Sequence, residues 1–244
     1  MIKNNKSIWN AIIPAAGKSL RFKSVNSKVL FKIKKKTLLE ITINKILPYV
    51  SKITIIVNKD NKDDIKKIIN KYKKFNIYIQ IQKKINGMAT AIQTAFPLIK
   101  SKNIVIIWAD QIGISKKIIK KTMKSHLLNN DLITFPIVYR KHPYTVVKFN
   151  KNKILNNISQ SRETFIHKKF GYSDCGFFCC VADKLKSELN NLIKFKKIIT
   201  KKTKEYDFLM ALNLLSKKYK IRIIKSNNQK DSVGINTLDD INNL

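Results

Sequence analysis

Two kinds of hydrophobic pattern alternate along the first 140 residues. Runs of apolar and β-branched residues, Ile8 to Ile13, Lys52 to Val57, Ile77 to Gln82, Asn103 to Trp108 and Leu132 to Tyr139, read as strands. Between them, apolar residues recur at helical spacing. Thr37 to Val50 carries Leu38, Ile41, Ile43, Ile46 and Leu47 on such a pattern, with Pro48 near its end. Asp60 to Tyr72 predicts a helix capped by Asp60 or Asn61. Gly87 opens another that runs to about Leu98, and Ser115 caps a third carrying Ile118, Ile119, Met123 and Leu127. Strands that are apolar throughout, not only at alternate positions, are buried on both faces. The pattern therefore predicts an α/β fold with a mostly parallel sheet covered on both sides.

The second half reads differently. Thr145 to Phe149 and Lys153 to Ser159 flank the polar turn Asn150-Lys151-Asn152 and predict a hairpin. Tyr172 to Val181 reads as one longer strand, and Asp183 to Leu192 and Glu205 to Leu215 as helices. Ile221 to Ile224 and Ser232 to Ile235 read as short strands, and Thr237 to Leu244 as a final helix capped by Thr237. No linker or internal repeat interrupts the chain. The expected organisation is a single domain over 1–244, with a first half 1–140, a smaller lobe 141–225 and a return segment 226–244.

With 44 % hydrophobic residues, the 244-residue chain can bury a sizeable core, which argues against disorder. No apolar run approaches the ~20 residues of a membrane helix. Met1 to Trp9 lacks the apolar segment of an export signal, so a cytoplasmic protein is expected. The charge is +35, from 50 Lys+Arg against 15 Asp+Glu. Nearly all the cations are lysines, spread in pairs such as Lys66-Lys67, Lys120-Lys121 and Lys217-Lys218, and the arginines are Arg21, Arg140, Arg162 and Arg222. Base reading and bidentate phosphate clamps favour arginine, so the charge reads as a solvated lysine coat that steers anionic small molecules inward. Cys175, Cys179 and Cys180 do not have zinc-site spacing and fall in an apolar segment, so they read as buried thiols.

The chemistry gathers after the strands, the edge at which open parallel sheets bind ligands. The first strand runs into Pro14-Ala15-Ala16-Gly17, small residues that let a ligand approach the main chain, followed by Lys18, Arg21 and Lys28. Such a turn can hold phosphates. Asp110 ends another strand and can hold Mg²⁺ against phosphate oxygens, with the oxygen of Asn236 as a second ligand; as single residues, both also suit turns and caps. Gln82 to Met88, a strand end and a glycine at a helix start, could read a nucleobase or be an ordinary loop. His126, His142 and His167 fall outside these stretches and read as structural or surface residues.

Ala15-Ala16-Gly17-Lys18, Arg21-Phe22, Lys28-Val29-Leu30, Gln82 with Gly87, Trp108-Ala109-Asp110 and Gly234-Ile235-Asn236 occur in the order of the nucleotidyltransferases that act on sugar 1-phosphates. Over essentially its whole length the chain resembles the uridyltransferase domain of N-acetylglucosamine-1-phosphate uridyltransferases. The resemblance implies a Rossmann-like three-layer fold with a smaller sugar-binding lobe. It also implies an Mg²⁺-dependent reaction in which a sugar 1-phosphate attacks an NTP and pyrophosphate leaves. In those terms Ala15, Ala16, Gly17 and Ser19 would line the nucleotide, and Lys18 and Arg21 would hold its β- and γ-phosphates. Lys28 would bridge the α-phosphate and the acceptor phosphate. Gln82, Gly87 and Met88 would face the base, Thr145, Gln160, Asp174 and Gly176 the sugar, and Asp110 and Asn236 the metal.

The departures fall mainly in the selectivity positions. The loop reads Gly17-Lys18-Ser19-Leu20-Arg21, without the family's second glycine, and Ser27 replaces the proline often found before the lysine. Gly87-Met88 stands for Gly-Thr, Ala109-Asp110 for Gly-Asp, and Asp174-Cys175-Gly176 for Asn-Thr-Gly. Gln160 takes the place of a glutamate, with Glu163 nearby, and Thr145 that of a glycine. No hexapeptide repeats follow, so acetyl transfer is not expected. The leading expectation is an enzyme that makes an NDP-sugar. The alternatives are a cytidylyltransferase for another phosphorylated alcohol or sugar acid, to which the ending Thr237 to Ile241 is also similar, and a basic nucleic-acid-binding protein on a degenerate transferase fold.

Overall fold

The computed structural model describes residues 8–17, 27–164, 168–235 and 240. Its centre is β1 (Trp9–Pro14), which lies parallel to β4 (Lys52–Val57) on one side and to β6 (Asn103–Ile107) on the other. β5 (Ile77–Ile81) extends the sheet in parallel beyond β4. β1 and β6 are buried along their whole length, as continuous apolar strands require. Their side chains alternate between two cores: Ile12 and Ile106 pack on one face, and Ala11, Ile13, Val105 and Ile107 on the other.

The second face is covered by α1 (Leu38–Ile46), α2 (Lys62–Ile69) and α4 (Lys116–Asn129). α1 starts on a capping box in which Thr37 and Glu40 satisfy each other's backbone N–H groups. A small antiparallel pair, β2 (Lys32–Ile33) and β3 (Lys36–Thr37), leads into it. Ser115 caps α4 by accepting from the Ile118 N–H, as the sequence predicts. The first face is covered by α3 (Met88–Ala95), α6 (Ala182–Lys194) and α7 (Phe208–Leu215). The hairpin of β8 (Thr145–Phe149) and β9 (Leu155–Gln160) packs there too, and α5 (Ser161–Thr164) follows it. Among the described residues, no helix is long and apolar enough to cross a membrane.

The predicted strand from Tyr172 to Val181 is two strands, β10 (Phe170–Asp174) and β11 (Phe177–Val181). Both run antiparallel along β7 (Ile133–Lys141), while β12 (Ile221–Ser226) pairs in parallel with the other side of β7. The break lies at Cys175-Gly176, where Gly176 adopts φ +61 and its N–H donates to Asp174 Oδ1. The register with β7 shifts across that break, from Asp174 opposite Ile137 to Cys179 opposite Thr134. β11 then pairs with β6, so β10 continues past the end of β6. The expected strand from Ser232 to Ile235 is absent. Gln229–Ser232 forms a 3-10 turn, and the chain beyond it docks on the loop after β6. Asp240 is helical; the rest of the expected helix from Thr237 to Leu244 lies outside the described residues.

All three cysteines are buried free thiols. His126, on α4, is also buried, with Nδ1 3.1 Å from Thr134 Oγ1 and its ring 5.6 Å from that of Trp9. Nε2 has no hydrogen-bond partner. Burial without a counter-charge pushes its pKa down from 6.5 to about 4. The folded value lies below the unfolded one, so between these limits the unfolded chain binds the extra proton. This contribution is intact above pH 6.5 and is lost as pH falls toward 4. The loss amounts to about 3 kcal/mol. Urea melts at pH 7 and pH 4.5 should record that drop, and His126→Phe should flatten it.

Candidate active site

β1, β4 and β6 run in one direction, so their carboxyl ends share an edge. Ala15, Ala16 and Gly17 leave β1 there. Ala15 still belongs to the ladder, its N–H donating to the Ile56 carbonyl at 2.7 Å. The carbonyls of Ala15 and Ala16 accept from Asn61 Nδ2 at 2.8 Å and Asn58 Nδ2 at 2.9 Å. Asn58 and Asn61 also cap each other's backbone N–H groups, and both side chains are buried. The loop is thus anchored from β4 by two amides. Asn61 is the residue preceding α2, as predicted, but its side chain serves the loop and makes no helix cap. The Ala15 N–H and C=O are thus both bonded within the protein. Gly17 is exposed, and among the described residues a Cβ there would meet nothing within 4 Å.

Lys18, Ser19, Arg21 and Asn236 lie outside the described residues. Ser27 is buried, and its hydroxyl accepts from Asn61 Nδ2 at 3.1 Å, a bond that a proline could not accept. Lys28 opens the short 3-10 turn Lys28–Leu30 and pairs with Asp110 across 82 residues of sequence. Each of these side chains is 17 % exposed, so the pair is sheltered but reachable. Thr42 fixes the approach to Asp110 by donating to the Ala109 carbonyl. From the other side, the Ile235 N–H donates to the Asp110 carbonyl at 3.3 Å and Gln111 Nε2 to that of Asp231 at 2.9 Å. Gly113 lets this segment come close: a Cβ there would lie 1.9 Å from the Lys230 carbonyl oxygen.

Gln82 is buried at the end of β5, with Nε2 donating to the Gly87 carbonyl and to Thr90 Oγ1. Its amide nitrogen therefore stabilises the loop from within. Gly87 adopts φ +125, and a Cβ there would lie 2.3 Å from the Tyr206 carbonyl oxygen, so the position requires glycine. Met88 begins α3 and packs against the adjoining core.

Thr145, Gln160, Asp174 and Gly176, far apart in sequence, come together beyond β6. Thr145 Oγ1 donates to Asp174 Oδ2 at 2.6 Å and accepts from the Asp174 N–H. Gln160 lies opposite Thr145 in the hairpin, and its Nε2 donates to Asp207 Oδ2 at 2.7 Å. Asp207 Oδ1 caps α7. Gly176 leaves room for Trp108, whose Cδ1 would lie 2.6 Å from a Cβ. Burial pushes the Asp174 carboxyl up, and the nearby Asp110 charge adds to that, against the hydrogen bonds from Thr145 and Gly176. Sequence reasoning missed Asn58 and Asn61 as supports of the Ala15 to Gly17 loop. Their signal was available: two asparagines three residues apart, directly after a buried strand at the ligand edge.

Residues 11–169 match the model of a family described as the MobA-like NTP transferase domain. The bifunctional protein GlmU of Buchnera aphidicola subsp. Schizaphis graminum is 32 % identical over 230 residues, 93 % of this chain and 48 % of that protein. The chain thus spans about half the length of the curated GlmU relatives it matches. A 2-C-methyl-D-erythritol 4-phosphate cytidylyltransferase of Thermosipho melanesiensis is 31 % identical over 161 residues, 64 % of this chain and 68 % of that one. Among solved structures, the inositol-1-phosphate CTP transferase from T. maritima superposes with a TM-score of 0.73 at 16 % identity, covering 96 % of this chain and 91 % of that one. Such distant structural likeness speaks for the Rossmann-like fold alone. With the family match it gives the identification: the chain belongs to the MobA-like NTP transferase family and is a nucleotidyltransferase.

Proposed function

We propose that this nucleotidyltransferase moves a nucleotidyl group from an NTP to the phosphate of a sugar 1-phosphate or related alcohol phosphate, releasing pyrophosphate. One observation carries the reading. Lys28 and Asp110, from distant parts of the chain, form a sheltered pair at the strand ends beside the small-residue loop Ala15 to Gly17 that leaves β1. In this reading 1–140 holds the nucleotide, 141–225 holds the acceptor, and 226–244 returns to the Asp110 side.

An acceptor phosphate oxygen forms a bond to the α-phosphorus as the bond from that phosphorus to the pyrophosphate oxygen breaks. A phosphate monoester has a second pKa of about 6, so the nucleophile is already ionised and no side chain has to take a proton. The protein's work is alignment and charge compensation. Lys28 exchanges its partner, from Asp110 to the phosphate oxygens of the two substrates. Lys18 and Arg21 are the sequence candidates for the β- and γ-phosphates. Thr145, Gln160, Asp174 and Gly176 form the acceptor side.

The donors around Asp110 fit Mg²⁺. Asp110 offers a hard carboxylate whose partner in the structure is itself a cation, a donor type suited to Mg²⁺. Asp110 would hold the ion, with Asn236 as the second ligand suggested by sequence. When bound, it would supply charge neutralisation and polarise the α-phosphate. The base is open between uracil and cytosine. The cytidylyl reading is favoured by Met88, which stands where the uridyltransferase pattern has a hydroxyl, and by the cytidylyltransferase among the relatives.

Pyrophosphate release across CTP, UTP and several acceptor phosphates, with and without Mg²⁺, tests this directly. Turnover should need Mg²⁺, and Lys28→Ala or Asp110→Ala should each lower kcat/KM by on the order of 10²-fold or more. No turnover with any pair, together with tight salt-sensitive binding to RNA or DNA, would instead favour the nucleic-acid-binding alternative. Gly17→Ala separates folding from ligand binding. Its melting temperature should match the parent, because the added methyl meets no atom of the described residues, while calorimetry should show weaker NTP binding.

A further inference from the structure

In a chain with 50 Lys+Arg and 15 Asp+Glu, several sheltered carboxylates sit beside a cation, and buried Asp231, held by the Ser115 N–H and the Ser226 hydroxyl, still feels the charge of Lys45. Asp110 has Lys28, Asp131 has Arg222, Glu40 has Lys71 and Glu188 has Lys218. Asp174 has no Lys or Arg partner among the described residues. Its bonds come from the Thr145 hydroxyl and the Gly176 N–H, and the Asp110 charge opposes its ionisation. It therefore carries a cost that a positive group placed beside it would remove.

A second observation comes from the same face of the sheet. Asp174, Ile137 and Lys225 lie in register across β10, β7 and β12, so their side chains share a face, which Tyr172 also joins two residues along β10. There the rings of Phe149 and Tyr172 meet nearly edge-on, with centroids 5.2 Å apart. The Lys225 ammonium stands 5.0 Å from one centroid and 5.1 Å from the other. Tyr139 closes on Tyr172 at 5.1 Å. These ring faces already accommodate an ammonium group, supplied in the structure by the exposed Lys225 of β12, which lies on the far side of β7 from β10. The acceptor side thus offers, going outward from Asp110, a carboxylate without a cation and then an aromatic corner that holds one.

We infer that Asp174 selects an acceptor carrying a positively charged nitrogen, a phosphorylated amino sugar or amino alcohol, over its hydroxyl-only counterpart. The inference rests on the nucleotidyl-transfer reading, because that reading makes the Thr145–Asp174 region the acceptor side. The nitrogen's N–H groups donate to Asp174, and the aromatic corner stabilises the charge beyond it. The corner is where Lys225 and an amine compete.

Calorimetric binding with matched pairs tests the inference apart from turnover. The probes are glucosamine 1-phosphate against glucose 1-phosphate, and 2-aminoethyl phosphate against 2-hydroxyethyl phosphate, each with the Mg²⁺-loaded full chain. The aminated member should bind about tenfold more tightly in at least one pair, the size of a charge-assisted hydrogen bond. Asp174→Asn, nearly isosteric, should bring the two affinities together. Lys225→Met, which removes the resident ammonium, should widen the gap in the parent. Equal affinities in both pairs, or a gap that survives Asp174→Asn, would overturn the inference. Pyrophosphate release with the same four acceptors keeps the outcomes distinct: turnover without amine preference removes the role of Asp174 alone, and amine-selective binding without turnover removes the transfer reaction alone.

Discussion

The site depends on β1 lying parallel between β4 and β6 with both faces buried. Pro14 stands level with Ile56, and Ile12 with Ile106, so the three strands release their chains at one height. That puts the small-residue loop, the Asn58–Asn61 clamp and Asp110 side by side, although they come from three separate parts of the sequence. The same burial creates a difficulty at the strand ends, where main-chain groups leave the ladder without leaving the protein. The two asparagines solve it by bonding the carbonyls of Ala15 and Ala16. The loop after β1 is therefore held by the core, while a Cβ at Gly17 would meet none of the described atoms within 4 Å.

The first half of the fold was legible because its signals are local. Continuous apolar runs and helical spacings located every strand and helix of the sheet up to β7, and Lys52 to Val57 agrees residue for residue. The misreadings have a common cause in longer-range contacts. Ser232 to Ile235 has strand-like composition, but its backbone groups are taken by the loop after β6. Tyr172 to Val181 is apolar enough for one strand, yet β11 must pair with both β6 and β7, and the register shift at Cys175-Gly176 makes that possible. The Asn61 side chain reads as a helix cap until the partner loop, 46 residues away, is placed beside it.

The site residues were legible in kind more than in role. Lys28 and Asp110 could be named from the strand ends, but their mutual pairing could not, since nothing in sequence links positions so far apart. Gln82 illustrates the converse: a side-chain amide at a ligand edge suggests recognition, whereas its nitrogen is engaged by Gly87 and Thr90. Ser27 looked like a departure from pattern, and its hydroxyl turns out to serve the clamp. The high positive charge, the most conspicuous property of the composition, says least about the site, whose distinctive groups are carboxylates.

β11 has a consequence of another kind. Among the described strands it alone carries the sheet from β6 to β7, and so joins its parallel half to its mixed half. Cys179 and Cys180 sit on it, facing opposite cores, and burial pushes both thiols well above their usual range. They are inert while the strand is in place and open to an alkylating reagent once it detaches. The chain thus carries its own gauge of cohesion: the rate at which these thiols are modified counts how often the two halves of the sheet part.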